Sequence, residues 1–268
     1  MERYQVILAY DGSSYKGFQR QANARSIQAV IEDALRKLNW QGKSILAAGR
    51  TDSGVHATGQ VIAFDLDWKH DTQELLSALN SYLPADVVAN RVQKVRSSFH
   101  PRHDASWRKY SYRIYCQQVR QPLLEPYAWR VWPVVDIDIL HQTAEILIGA
   151  HDFGNFGTSP QPGGSTIRVV LDAVWKQDEP YHVFEITAQA FLYHMVRRVV
   201  FMQVAIAQGK LHLTELEQAL LVASPMSLPE STGKNHSSRL VHGMAPARGL
   251  ILEEVHYPTE ALEDGEDS

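Results

Sequence analysis

A chain of 268 residues, 44% of them hydrophobic, is long enough for one large or two ordinary domains and too apolar to be disordered throughout. Charges interrupt its longest apolar stretches and no secretory core follows Met1, so we expect no membrane span and a cytoplasmic location. The single cysteine, Cys116, excludes an internal disulfide and a zinc site of several thiolates, and the net charge of −4 excludes a strongly basic protein.

The negative charge is concentrated at the C-terminal end. Residues 260–268 hold five acidic side chains, and residues 1–259 carry a net charge of +1. Since acidic runs with few apolar residues are usually solvated, we expect 260–268 to be a disordered acidic tail. A nucleic-acid ligand would require the remaining cations to cluster on one face, which a sequence does not show.

The first half of the chain alternates strand-like and helix-like patterns. In chain order, the predicted elements are strand 4–10, a helix from the Ser26 cap to Leu38, strands 45–49 and 59–66, helix 72–82 and strand 87–95. The first helix has apolar residues at offsets of 3, 4, 7, 8 and 11 from Ile27, which fits one helical face. The order β-α-β-β-α-β is that of a ferredoxin-like, or RNA-recognition-module, unit.

The second half repeats this order less regularly. Its predicted elements are strand 109–116, helix 137–148 after the Asp136 cap, strands 169–175 and 182–188, helices 192–208 and 213–223, and strand 250–255. Residues 224–247 lack periodicity and indicate a long loop. We therefore expect an α+β protein of two ferredoxin-like halves, 1–105 and 106–259. Their antiparallel sheets would join into one extended sheet with an active-site cleft between the halves.

Residues 49–56, GRTDSGVH, are the most informative segment. They place Asp52 on a loop between two predicted strands, where functional side chains are commonly displayed. An aspartate beside glycine is by itself more typical of a turn that caps backbone amides. Arg50, two residues earlier, would share a face with Asp52 if the strand end is extended.

This segment closely matches the GRTDxGVH signature of the TruA family of tRNA pseudouridine synthases. Further segments of this chain resemble other motifs of the family and follow the family's order. They are residues 10–21 (YDGSSYKGFQRQ), Asn80 with Leu83-Pro84, 99–102 (FHPR), 109–115 (KYSYRIY), 151–153 (HDF) and 191–197 (FLYHMVR). The resemblance implies the pseudouridine synthase fold and an isomerase that converts uridines to pseudouridine at positions 38, 39 and 40 of the tRNA anticodon stem-loop. It also implies a homodimer. Because this reaction needs no redox step and no external group donor, we expect no cofactor.

The resemblance assigns a role to five residues. Asp52 supplies the carboxylate that acts at C1′ of a flipped-out uridine, as nucleophile or through a glycal, and Arg197 is its ion-pair partner. Tyr110 stacks on the target base and relays its C5 proton. Arg50 fills the space that the uridine leaves and contacts phosphate, and Leu192 forms an apolar wall against the base. From residue chemistry alone, Arg50 is a paired surface residue and Tyr110 a packing residue.

Three neighbouring residues carry weaker expectations. Arg198 is left as a surface or phosphate contact, and Tyr112 as a packing residue. Phe201 departs from the family, which usually has glycine there, and its ring must change how the helix packs.

A metal site is disfavoured. His100 and His103, with His56 and His194, are possible ligands, but Pro101 separates the first pair and no acidic cluster joins them. We expect no metal.

Two other classes of function stay open. Tandem RNA-binding modules without catalysis are disfavoured because neither half has the aromatic strand pattern of such modules. A carboxylate-dependent hydrolase of small nucleosides would not require this length or duplication.

Overall fold

The computed structural model describes residues 1–220 and 242–262. They form two compact units. The first unit contains Met1–Ser111 and the chain from Ala247 onward, and the second contains the described residues of Tyr112–Pro246.

Ten strands and five α-helices make up the described chain. The strands are β1 (Glu2–Tyr10), β2 (Leu46–Ala47), β3 (His56–Leu66), β4 (Val87–Val95), β5 (Trp107–Cys116), β6 (Trp129–Val131), β7 (Gly149–Asp152), β8 (Ile167–Asp178), β9 (Tyr181–Ala188) and β10 (Leu250–His256). The helices are α1 (Ile27–Lys37), α2 (Thr72–Tyr82), α3 (Ile137–Glu145), α4 (Met195–Ala207) and α5 (Leu213–Leu220). Three short 3-10 helices span Gly12–Ser14, Ala247–Gly249 and Thr259–Ala261.

The first unit is built around strands in the order β4-β1-β3-β10-β5, with β2 beside β3. Strand β1 is antiparallel to both β3 and β4. Helices α1 and α2 pack their apolar faces, which include Ile31, Leu35, Leu75 and Leu79, into the same core as these strands. An Asp71–Glu74 capping box begins α2, and such a cap stabilises a helix by about 1 kcal/mol.

The last strand belongs to the first unit, whereas the sequence placed it in the second half. Strand β10 runs parallel to β3, with Ile251 opposite His56 and Leu252 opposite Ala57. Leu252 and Val255 are buried in the first unit's core. The predicted halves, 1–105 and 106–259, therefore differ from the two units of the structure. The chain enters the second unit at Tyr112 and returns to the first unit at Ala247. Local patterns carry no signal for such a long-range pairing.

The second unit has the strand order β5-β9-β8-β7, with β6 parallel to β5. Strand β5 contributes to both units because the boundary falls between Ser111 and Tyr112. Helix α4 is buried along most of its length, as its apolar sequence predicts, and Gly209 follows its end with a left-handed φ of 70°.

Most predicted elements are present, with shifted ends. The bounds of α2 and β4 are as predicted, but β3 begins at His56 and β2 has only two residues. Helix α4 begins at Met195, and strands β6 and β7 were not predicted because three or four residues carry too little periodicity. The predicted helix 213–223 is described as far as Leu220, and most of the predicted loop 224–247 lies outside the described residues.

The expectation of a disordered tail from residue 260 is wrong for its first three residues. Ala261 ends a 3-10 helix and is 5% exposed, and Leu262 packs against the first unit's core. The Leu262 carbonyl accepts a hydrogen bond from the Arg96 amide at 3.3 Å. Two apolar side chains are enough to dock this short segment, and residues 263–268 lie outside the described chain.

Membrane crossing requires a long helix of apolar side chains. None of the helices in residues 1–220 and 242–262 has that combination of length and hydropathy.

Candidate active site

The Asp52 loop joins β2 to β3, as the sequence predicts. Thr51 is buried, whereas Arg50 before it is exposed and Asp52 after it is half-buried. This alternation places Arg50 and Asp52 on the side of the chain opposite Thr51, in agreement with a shared face. The Asp52 carbonyl accepts a hydrogen bond from the Val55 amide at 3.2 Å, which closes the turn at the end of the loop.

A buried hydrogen-bond network holds the loop from below. The hydroxyls of Thr51 and Tyr10 lie 2.8 Å apart. The Gln60 side-chain amide donates to the Gly49 carbonyl at 3.2 Å and, over a longer 3.5 Å, to the Tyr10 hydroxyl. Because β1 supplies Tyr10 and β3 supplies Gln60, the loop is tied to two strands of the core, at Thr51 and at Gly49.

The segment after β1 braces the loop from the side. The Phe18 amide donates to the Thr51 carbonyl at 3.0 Å, and the Ser53 hydroxyl donates to the Tyr15 carbonyl at 3.1 Å. Gly17 lies between these contacts with a φ of 90°, and a Cβ atom there would come within 2.9 Å of the Thr51 carbonyl oxygen. Only glycine combines this backbone conformation with so close an approach.

A buried carboxylate on α1 supports the same region. Glu32, whose side chain is 0% exposed, pairs with Arg20 and accepts hydrogen bonds from the Gln28 side chain at 2.8 Å and the Ile45 amide at 3.2 Å. A buried charge requires such partners. Glu32 thereby links the segment that braces the Asp52 loop to the chain that leads into β2.

Tyr110 lies near Asp52 in the first unit. It is half-buried on β5 and packs against the core. Burial raises the pKa of Tyr110, the Tyr10 and Asp52 side chains raise it further, and the nearby Arg108 guanidinium opposes them. The phenol therefore stays protonated at neutral pH.

The other two residues that the sequence singled out, Leu192 and Arg197, lie in the second unit. Leu192 is 5% exposed in the turn before α4. Arg197 is half-buried in the first turn of α4, and its Nε donates to the Ala245 carbonyl at 2.8 Å. The Ala245 amide donates back to the Arg197 carbonyl at 3.1 Å. Asp52 belongs to the first unit, so its pairing with Arg197 stays a prediction.

Two neighbours of these residues have clear packing roles. Tyr112 is fully buried and donates from its hydroxyl to the Pro246 carbonyl at 2.7 Å, which confirms it as a packing residue. Arg198 is half-buried, with Nη1 3.4 Å from the Phe156 carbonyl, so the sequence expectation of a surface position holds only in part.

The structure accounts for Phe201. Its ring stacks on that of Trp129, with centroids 6.3 Å apart and an angle of 11°. Gly243 also lies against this ring, since a Cβ atom at Gly243 would come within 2.2 Å of it. The chain therefore accommodates a large ring on α4 by having a glycine, with φ of 112°, in the segment that follows the undescribed residues.

The histidines make local contacts. His100 Nδ1 accepts a hydrogen bond from the Arg102 amide at 3.1 Å, and its ring lies 4.2 Å from that of His103. His56 Nδ1 accepts from the Gly12 amide at 3.1 Å. Within the described part of the chain, no group of three or more His, Cys, Asp and Glu side chains is arranged to hold a metal ion.

An α+β fold with a half-buried aspartate on a rigid GRTDSGVH loop beside a tyrosine defines a class of protein, the pseudouridine synthases. Residues 6–104 and 143–258 match a family model described as tRNA pseudouridine synthase. The chain belongs to this family, whose members are enzymes that isomerise uridine to pseudouridine in tRNA. The expected α+β class and pseudouridine synthase fold are thereby confirmed.

Full-length relatives agree with this membership. Proteins named tRNA pseudouridine synthase A are 35% identical in Streptococcus uberis, 36% in a Thermoanaerobacter species and 37% in Aeromonas hydrophila. Each match covers 96% of this chain, and it covers 99%, 100% and 91% of the respective relative.

Proposed function

We propose that this protein isomerises uridines at positions 38, 39 and 40 of the tRNA anticodon stem-loop, with Asp52 as the nucleophile. The observation that carries the proposal is the position of Asp52, half-buried on a loop that Tyr10, Gln60 and Gly17 hold in place. A fixed carboxylate is suited to a reaction in which C1′ of the sugar becomes electron-poor.

The reaction needs only groups that this chain can supply. The N1–C1′ bond breaks with its electron pair on N1, the base rotates, and C5 forms a new bond to C1′. The C5 proton then leaves and N1 gains one, so atoms and electrons balance without an oxidant, a reductant or a group donor. No cofactor is required.

Asp52 and Tyr110 divide this chemistry. In the proposal, the Asp52 carboxylate attacks C1′ or balances the positive charge that develops there. The Tyr110 ring stacks on the base, and its hydroxyl, which burial keeps protonated, relays the C5 proton. A neutral phenol can take the C5 proton only if it gives up its own hydroxyl proton at the same time. The relay therefore requires a second group that accepts the hydroxyl proton.

Three further residues complete the proposed site. Arg50 is exposed beside Asp52, where it can occupy the space of the flipped uridine and contact the RNA backbone. Leu192 offers an apolar wall to the base, and Arg197 pairs with Asp52. The family resemblance supports these roles.

We also propose that the protein is a cytoplasmic homodimer. Family resemblance supports both statements. Light scattering at micromolar concentration should give twice the chain mass of 30.3 kDa, and the mass of a single chain would contradict the dimer.

One assay separates the proposed function from its alternatives. The protein is incubated with an unmodified tRNA transcript without added cofactor, and the RNA is digested and its modified positions are mapped. Pseudouridine at positions 38 to 40 is the expected result. Unchanged uridine would indicate a binding protein, and released uracil a hydrolase.

A further inference from the structure

A small hairpin lies beside the Asp52 loop, and the proposed chemistry does not use it. Residues 16–25, here called the 16–25 hairpin, turn at positions 22 and 23. Gln21 and Ala24 form a bridge across the turn, and the Lys16 amide donates to the Arg25 carbonyl at 2.9 Å. The Gln21 side chain also donates to the Lys16 carbonyl at 2.8 Å. These bonds fix the backbone of an otherwise exposed segment.

Lys16 is adjacent to the reaction centre. The residues on either side of it, Tyr15 and Gly17, contact Ser53 and Thr51, so Lys16 runs alongside Asp52. Lys16 is exposed, whereas Asp52 is half-buried. A nucleotide seated with its sugar at Asp52 would therefore have its backbone within reach of the long lysine side chain.

The charges of the hairpin are not equally available. Arg20 pairs with the buried Glu32. Arg25 pairs with Asp86 at 3.1 Å and lies over the Tyr15 ring at 4.4 Å. The Lys16 ammonium has no hydrogen-bond or ion-pair partner among residues 1–220 and 242–262. Two cations thus hold the hairpin in place, and the third is presented to solvent on a rigid backbone.

We infer that Lys16 binds a phosphate of the tRNA strand that carries the target uridine. This inference rests on the proposed function, which supplies the RNA. Phosphate contacts from lysine and arginine fix the register of a nucleic acid on a protein without reading its sequence. Because such a contact reads no sequence, the phosphate next to the uridine at Asp52 can make it, whichever of the three positions is being modified. It also gives a chain of net charge −4 a local cation where the RNA must approach.

The test compares Lys16→Gln with Lys16→Arg and with a matched control, Lys37→Gln. Lys37 is a lysine in the last turn of α1 that lies over the Tyr82 ring. The dissociation constant for unmodified tRNA is measured at several salt concentrations. Removing one phosphate contact should lower the slope of log Kd against log salt by about 0.7–0.9. Lys16→Gln should therefore bind more weakly at low salt, with a shallower slope, whereas Lys16→Arg and Lys37→Gln should match the wild type.

A slope for Lys16→Gln equal to that of Lys37→Gln would overturn the inference. Pseudouridine formation by the wild-type protein is measured in parallel. Activity without a Lys16 effect on binding refutes this inference alone, and a wild-type protein that forms no pseudouridine refutes the proposed function.

Discussion

The hydroxyl pair of Tyr10 and Thr51 offers a quantitative test of how the Asp52 loop is held. The two oxygens lie 2.8 Å apart, and Tyr10 is 5% and Thr51 8% exposed. Tyr10→Phe leaves the buried Thr51 hydroxyl without this hydrogen bond, and Thr51→Val leaves the Tyr10 hydroxyl with only the long 3.5 Å bond from Gln60. Losing such a bond at a buried group costs about 1–3 kcal/mol. Tyr10→Phe and Thr51→Val should each lower the free energy of unfolding by this amount. At about 2–4 °C per kcal/mol, the loss is visible as a lower melting temperature.

The double variant is the sharper measurement. Tyr10→Phe with Thr51→Val removes both hydroxyls, so no buried donor or acceptor of the pair is stranded, and the combined loss should be smaller than the sum by about 1–2 kcal/mol. Urea unfolding of the four proteins gives this coupling energy. Single-turnover rates should fall by about tenfold in each single variant, since the loop that carries Asp52 loses its fixed position.

Tyr4 provides a matched control on the same strand. It is fully buried, and its hydroxyl has no hydrogen-bond partner within the described chain. Tyr4→Phe should leave stability and rate unchanged or slightly raise stability. Strictly additive losses at Tyr10 and Thr51, or equal losses from Tyr4→Phe and Tyr10→Phe, would refute the account of the loop.

Three other predictions concern pH, α4 and the C-terminus. Burial raises the pKa of Tyr10 to about 12, so the folded state holds the phenol proton more tightly than the unfolded state does. The stabilisation from this proton should be fully present below pH 10 and should be lost as the pH rises from 10 towards 12. The melting temperature should therefore fall over this range, and it should fall less steeply in Tyr10→Phe. Arg197→Ala should abolish activity and should lose the charged hydrogen bond to the Ala245 carbonyl, which is worth about 1.5–3 kcal/mol. Arg198→Ala should mainly weaken tRNA binding. Small and equal effects of the two substitutions would overturn the assignment of Arg197. Ending the chain after Leu262 should leave the melting temperature unchanged. Ending it after Glu260 removes the docked Ala261 and Leu262 and should lower the melting temperature. Equal melting temperatures of the two truncated proteins would show that these two residues do not contribute to stability.

The sequence predicted the elements whose patterns are local. Helix α2 has apolar residues at helical spacing, a cap before it and Pro84 after it, and its bounds were predicted correctly. Asp52 could be singled out because glycines and an apolar run surround it. The return of β10 to β3 could not be predicted, since the partner lies almost two hundred residues away and no short motif records the pairing.

The support of the site was also missed, for a physical reason. Tyr10 and Gln60 look like ordinary strand residues, and only the fold shows that Tyr10 reaches Thr51, next to Asp52, and that Gln60 reaches Gly49 in the same loop. One signal was available: Gln60 is a polar side chain at the start of an apolar strand pattern, where a buried amide requires partners. Lys16 gives no such signal, because any surface lysine looks the same in a sequence.

The most direct test of the central claim is the single-turnover rate of Asp52→Asn on unmodified tRNA. Asparagine keeps the shape of the side chain but cannot attack C1′ or balance positive charge there, so the rate should fall by about 10⁴-fold or more. The variant should still fold and bind tRNA, and Asp33→Asn, which removes an exposed carboxylate on α1, should react like the wild type. A rate for Asp52→Asn within about tenfold of wild type, a barrier change near 1.4 kcal/mol, would contradict the assignment of Asp52 as the nucleophile.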